Sequence, residues 1–359
     1  MMIVGDSISQ GLEGDYTWRY RLSQNFGGHG FPIRFVGPET GTSVLPASQP
    51  RGYPARTADP VHTGRYRPGI DFRDHRHYAR WGRLLQEAKD NIHDAVVAHK
   101  ADYLMVELGF NDLAWGVSGP DRLAADLEAF VRCARGANPD IRLLVANVVH
   151  RTPLETGPGP ADVITSYNEA LPARLAAMST ARSPVVLVDL DRDYDPHRDT
   201  YDGLHPNDLG EFKIARAFAD TFSSMFCDGR IDFLTPIPRA PDPLVISMPA
   251  GIVAVPRGSS IGLSWPHVFG ASGYWLYWRD VTAGEGFQRS PLPILADSLE
   301  FPAQSGHAYE FMVSGARGSQ ETIATRAVGV VLDGRPALSV TEAVTGAVTR
   351  SMSGSVSGS

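Results

Sequence analysis

The chain is short of cysteine and lysine and has no long apolar run. Two cysteines, Cys133 and Cys227, in 359 residues exclude a disulfide scaffold and any cysteine-built zinc or iron–sulfur site. No stretch approaches the roughly 20 apolar residues needed to cross a bilayer, so no membrane-spanning helix is expected. A net charge of −7 argues, weakly, against a nucleic-acid partner, because phosphate binding wants a basic surface. Only Lys89, Lys100 and Lys213 of the 33 basic residues are lysine. Such a bias accompanies GC-rich coding, so a single arginine carries less functional weight than usual. What is present is ordinary for a globular protein, 43% hydrophobic and 20% charged residues, and the length suits two domains.

The first 230 or so residues alternate strand and helix patterns. Met1–Gly5, Tyr103–Leu108, Ile141–Val149 and Pro184–Leu190 read as buried strands, continuous apolar runs ending at glycine or polar residues. Arg83–His99, Pro120–Ala134, Asp162–Met178 and Asn207–Phe226 read as helices, each long enough for a crossover. The economical fold is α/β, a parallel sheet with helices on both faces.

The texture changes near Thr235. Pro236, Pro238, Pro241 and Pro243 mark a stiff, extended linker. Short β-type runs follow at Leu244–Met248, Ser260–Trp265, Tyr274–Arg279, His307–Ser314 and Thr322–Val331, which suggests a small all-β sandwich. Their order, with Trp265 in an early strand and Tyr309 at the start of a late one, resembles a fibronectin type III domain. The resemblance implies a core tryptophan and a tyrosine that ties a corner. The Ser/Gly-rich end is too poor in large apolar groups to pack and is expected to be a flexible tail. The expected division is 1–232, linker 233–243, sandwich 244–332 and tail 333–359. No charged segment followed by an apolar stretch opens the chain, so the default expectation is a cytoplasmic protein. Because the chain starts inside its first strand, a missing upstream segment would change that expectation to a secreted one.

Gly5-Asp6-Ser7-Ile8-Ser9 directly follows the first strand, at the carboxyl end where open parallel sheets gather ligand groups. A serine becomes a useful nucleophile when a base takes its proton and a third group orients the base. Tyr201-Asp202-Gly203-Leu204-His205-Pro206-Asn207 offers such a pair, since one short turn brings the Asp202 carboxylate to Nδ1 of His205. Alone, that pair reads equally well as a helix-entry turn with a solvated histidine. Gly109-Phe110-Asn111-Asp112 ends the second long strand; Asn111 can donate to an oxyanion beside the Ser7 N–H or simply close an Asx turn.

Together, Gly-Asp-Ser after strand one, Gly-x-Asn-Asp after a middle strand and Asp-x-x-His before the last helix resemble the SGNH hydrolases, the GDSL esterase/lipase family. The resemblance covers roughly Met2–Phe226 and implies a three-layer α/β/α, flavodoxin-like fold. It implies that Ser7 is the nucleophile, His205 the general base and acid, Asp202 its orienter, and Asn111 with the Ser7 N–H oxyanion donors. The family's remaining donor falls in His75-Arg76-His77-Tyr78-Ala79-Arg80-Trp81-Gly82, at Gly82 or, in another register, Arg80. No cofactor and no metal are implied.

Several other features compete for attention. Gly258-Ser259-Ser260-Ile261-Gly262 matches the Gly-x-Ser-x-Gly elbow, but Pro256 and Arg257 precede it and a strand follows, so Ser260 is set aside. His75 and His77 lack metal-ligand spacing and are expected to be solvated or substrate-facing loop residues. Tyr274, Trp275, Tyr277 and Trp278 can be a sugar-stacking platform, though half of an alternating set belongs in a sandwich core. From Pro38 to Asp74 no helix or strand period is seen. Between Arg34 and Arg83, nine arginines stand against Glu39, Asp59, Asp71 and Asp74, which raises the expectation of an anionic substrate. The functional expectation is a serine hydrolase of carboxylic esters acting on a small-molecule, lipid or glycan ester. An acyltransferase or natural-product tailoring enzyme is the near alternative, and a carbohydrate- or surface-binding protein on a retired scaffold the distant one.

Overall fold

The computed structural model describes residues 1–46, 64–153 and 159–332. The expected tail, 333–359, and the middle of the arginine-rich loop lie outside the described residues. Strands β1 (Met2–Gly5), β2 (Tyr78–Ala79), β3 (Tyr103–Glu107), β4 (Arg142–Ala146) and β5 (Val185–Val188) form one sheet in the order β2-β1-β3-β4-β5. Every pairing in it is parallel. Its helices are α1 (Ser7–Gln10), α2 (Trp18–Gly28), α3 (Leu85–His99), α4 (Phe110–Ala114), α5 (Pro120–Ala137), α6 (Ala161–Met178) and α7 (Asp208–Phe226). The long helices fall into two groups: α2 packs on α7, and α5 packs on both α3 and α6. This is the expected three-layer α/β/α fold.

The apolar strands are buried because both faces are covered: Met2, Ile3, Val4, Leu104, Met105, Leu143 and Leu144 are fully inside. Each such side chain contributes about 1.5–3 kcal/mol of burial. Helix α5 begins with Pro120, carries Asp121 in its first turn and Arg135 in its last, and buries Leu123, Leu127, Phe130 and Val131. The third and fourth strands are shorter than their apolar runs, since residues beyond Ala146 and Val188 leave the ladder to enter the loops at the carboxyl edge.

Helix α2 escapes the sequence reading. Its arginines and double glycine dilute the pattern, yet Trp18, Leu22 and Phe26 line one buried face at four-residue spacing. Trp18 stacks on Phe218 of α7 with centroids 4.8 Å apart. Strand β2, two residues long, carries too little sequence to be recognised.

The C-terminal part is all-β and antiparallel. Its strands are β6 (Val253–Arg257), β7 (Ser260–Ser264), β8 (Gly273–Asp280), β9 (Gln288–Arg289), β10 (Ser298–Pro302), β11 (Ala308–Arg317), β12 (Gln320–Glu321) and β13 (Val328–Val331). One sheet runs β10-β7-β6; the other runs β12-β11-β8-β9, with β13 also pairing β11. Ile261, Leu263, Trp265, Tyr274, Phe311 and Val313 fill the space between them. Trp265 is buried as expected, and the Tyr309 hydroxyl accepts the Gln304 N–H at 3.0 Å, tying a corner.

Two strand expectations need correction, and two strands escape the sequence reading. Leu244–Met248 joins no ladder; it lies between Pro243 and Pro249, drops Ile246 into the sandwich core and packs Leu244 against it. Thr322–Val331 is a strand only from Val328. Strands β6 and β10 were hidden by Pro256 and Pro302, and both are edge strands of their sheet, where proline is tolerated.

Candidate active site

Ser7 leaves the carboxyl end of β1 beside β3, where the strand order reverses and an open parallel sheet leaves a crevice. The chain turns there at Gly5, where a Cβ would lie 2.3 Å from the Ser9 side chain. Asp6 caps α1 by accepting the Ile8 N–H at 2.9 Å.

His205 lies in the turn before α7. Asn207 caps that helix, its Oδ1 accepting from Leu209 and Gly210 while its Nδ2 donates to the Arg198 and Thr200 carbonyls. The Tyr201 N–H donates to the His205 carbonyl at 3.0 Å and closes the turn. Inside it, Asp202 Oδ1 accepts the N–H groups of Leu204 (3.0 Å) and His205 (2.8 Å), and Oδ2 lies 2.6 Å from His205 Nδ1. His205 Nε2 lies 3.0 Å from Ser7 Oγ. Two residues 198 positions apart in the chain are thus in hydrogen-bond contact. Burial alone would raise the Asp202 carboxyl, but the His205 charge and hydrogen bonds hold it at about 2. Burial alone would lower His205, but Asp202, Asp6 and Asp15 lift it above the ordinary histidine value. Both shifts favour an imidazolium facing a carboxylate.

Two aromatic rings stack on the imidazole. Trp81 stacks on it at 4.5 Å and 24°, Tyr201 at 5.9 Å and 20°. The sequence reading assigned neither a role. Their one signal was adjacency to the motifs, and the stacking exists only once the fold is made.

Both Asn111 N–H groups are in use at 3.2 Å, one to Asp6 Oδ2 and one to the Arg83 carbonyl. The two candidate positions for the remaining donor separate clearly. The Arg80 N–H is held by the Gly5 carbonyl at 3.2 Å and the Trp81 N–H by Gln10 Oε1 at 2.6 Å. Among the described residues the Gly82 and Ser7 N–H groups find no partner.

Other candidates resolve differently. His77 corrects the expectation of a solvated or substrate-facing loop histidine: it is fully buried, bonded through Nε2 to the Gly41 carbonyl and accepting the Ala79 N–H at Nδ1. Two isolated bridges, Glu39 to His77 and Thr42 to Gly64, fold the ends of this loop inward and enclose the ring. His75 accepts the Gly41 N–H. No metal-holding group of three His, Cys, Asp or Glu occurs among the described residues. Six arginines of this region are engaged: Arg65 with Glu13, Arg67 with Asp242, Arg73 with Asp71, Arg80 with Glu39. Arg76 donates to the Gly37 carbonyl and Arg83 to that of Tyr78; Arg51 and Arg56 lie outside the described residues. Ser260 begins β7 directly after a hairpin turn, its hydroxyl bonded to the Glu300 carboxylate, with no helix after it. Of the aromatic cluster, Tyr274 is core, Trp278 packs on Phe301, and Trp275 lies under the Arg289 guanidinium. Cys133 and Cys227 are both free thiols.

Residues 3–211 match the GDSL-like Lipase/Acylhydrolase family. Among solved structures, a carbohydrate esterase family 3 protein from Talaromyces cellulolyticus is 24% identical, covering 63% of this chain and 97% of its own at a TM-score of 0.49. A family 3 carbohydrate esterase from Clostridium thermocellum is 22% identical, with 64% and 97% covered and a TM-score of 0.47. The fn3 domain of the human collagen alpha-1(XX) chain is 18% identical, with 26% and 91% covered and a TM-score of 0.23. No curated protein matches the sequence. With more than half its length matched, the chain belongs to the GDSL-like lipase/acylhydrolase family and is a carboxylic ester hydrolase.

Proposed function

We propose that this hydrolase works through a covalent acyl-enzyme on Ser7. The observation that carries the reading is the continuous line from Asp202 Oδ2 through the His205 ring to Ser7 Oγ, with contacts of 2.6 and 3.0 Å. In this reading the Ser7 oxygen attacks the ester carbonyl while its proton passes to His205 Nε2. Asp202 keeps the other ring proton on Nδ1 and stabilises the imidazolium formed. The developing oxyanion takes the unpartnered N–H groups of Ser7 and Gly82, and Asn111 gives up one of its two 3.2 Å bonds to join them. The imidazolium then protonates the leaving alkoxide, and the neutral ring activates a water that frees Ser7 as the acid departs.

Ser7 is only 6% exposed and two aromatic side chains stack on the His205 ring, an entrance that suits short acyl groups on a small-molecule or glycan ester. No cofactor enters any step. The test is labelling by a fluorophosphonate together with turnover of p-nitrophenyl esters of graded acyl length. Ser7→Ala is expected to abolish both with the thermal midpoint preserved. Labelling retained at another residue would overturn the reading.

A further inference from the structure

One heavily engaged side chain near the site does not belong to the α/β part at all. Arg317 ends β11 in the sandwich and is 6% exposed. Its Nη1 donates to the Glu13 carbonyl (3.1 Å) and to the Gly270 carbonyl (2.6 Å), and its Nη2 pairs with the Asp15 carboxylate. Glu13 and Asp15 stand in the loop that continues the Ser7 helix, and Asp15 Oδ2 also accepts the Leu12 N–H at 2.6 Å. The same guanidinium lies 5.0 Å from the centre of the Tyr201 ring, the ring that stacks on His205. The next residue closes the contact. Gly318 has φ +55°, and a Cβ on it would fall 1.7 Å from the Tyr201 carbonyl oxygen, so the two backbones are pressed together.

We propose that the sandwich completes the active site, with Arg317 a positioning residue that holds Tyr201 against the imidazole of His205. The proposal rests on His205 being the base for Ser7, as argued above. Trp81 braces one face of the ring from within the α/β part. Tyr201 also stacks on the ring and is itself contacted by Arg317 and Gly318 from the other domain. The grip on Asp15 ties the loop after the nucleophile to the same guanidinium, so Ser7 and His205 are referred to one rigid point. A base held to within a fraction of an ångström of its nucleophile is what a small displacement would spoil.

The experiment uses the full chain. Arg317→Lys keeps a charge for Asp15 but loses the flat face over Tyr201; Tyr201→Leu removes the ring. For p-nitrophenyl acetate each is expected to lower kcat by about tenfold or more with KM within about twofold. The double variant is expected to be no slower than the slower single one, because both break the same link. Arg289→Met, in the same sheet over Trp275, is expected to leave kcat unchanged. A folded Arg317→Lys with wild-type kcat, or losses that multiply in the double variant, would overturn the proposal and leave Arg317 as an interdomain tether. If Arg317→Lys does not fold, Gly318→Ala reads the same link by pushing on the Tyr201 carbonyl, and wild-type kcat there overturns it equally. Failure of the underlying triad is seen separately, as Ser7→Ala that still labels and turns over.

Discussion

Replacing Asp202 by asparagine keeps the size of the side chain and changes which atoms donate. Asp202 Oδ1 accepts two backbone N–H groups at 3.0 and 2.8 Å, and Oδ2 faces His205 Nδ1 at 2.6 Å. An asparagine must turn its carbonyl oxygen toward the two N–H groups. The opposite rotamer sets its amide against two donors and loses both bonds, about 1 kcal/mol each before the repulsion is counted. The amide NH2 therefore faces Nδ1, which can then only accept, and the ring proton moves to Nε2. That is the atom required to receive the Ser7 proton. The same exchange in a Ser-His-Asp triad costs about 10⁴-fold in kcat, or about 5.5 kcal/mol at about 1.36 kcal/mol per decade. The assay is kcat for p-nitrophenyl acetate between about pH 5 and about pH 9, with the thermal midpoint as a fold control. A folded Asp202→Asn enzyme within tenfold of wild type across that range would refute the tautomer argument and the role given to Asp202.

Two further outcomes are expected. Asn111→Ala should lower kcat by about 10²-fold, the weaker end of oxyanion-donor losses, because wild-type Asn111 must first release a bond to Asp6 or Arg83; a change confined to KM would remove it from the oxyanion site. His267 bridges the two domains, bonded to Glu13 at 2.7 Å and to Asp297 at 3.2 Å, and the hydrogen bonds to Asp297 and Glu13 raise it to about 9 against the opposing effect of burial. A raised histidine contributes stability fully below its ordinary value near about 6.5 and loses it as pH rises through about 9. The wild-type melting temperature should therefore fall toward that of His267→Gln between about pH 7 and about pH 10. Parallel melting curves across that window would show that the bridge does not stabilise the charged ring.

Much of this molecule is readable in one dimension where the physics is local. Buried parallel strands must be continuously apolar, so β1, β3, β4 and β5 stand out, and crossover helices must be long and one-sided, so α3, α5, α6 and α7 do too. Asp202 and His205 are three residues apart, and one turn decides their geometry. Where local signals were diluted the reading failed: α2 behind its arginines and glycines, β6 and β10 behind edge-strand prolines, and Leu244–Met248 for want of a ladder partner. His77 looked like any loop histidine, and only the bridges at the ends of its loop bury it.

By itself the sequence determined which functional groups stand at each strand and helix end, because a hydroxyl, an imidazole three residues from a carboxylate and a side-chain amide are recognisable by residue type and by position relative to those ends. The tertiary structure alone decided that, among the described residues, the Gly82 N–H has no partner while the Arg80 amide is taken by the Gly5 carbonyl. It alone stacked Trp81 and Tyr201 on the imidazole, and set Arg317 against Tyr201 across 116 positions of chain and a domain boundary. The reason is the range of the forces. Strand, helix and turn preferences act within a few residues, whereas ring stacking and buried ion pairs depend on contacts of a few ångströms that exist only after two separate cores have formed and met.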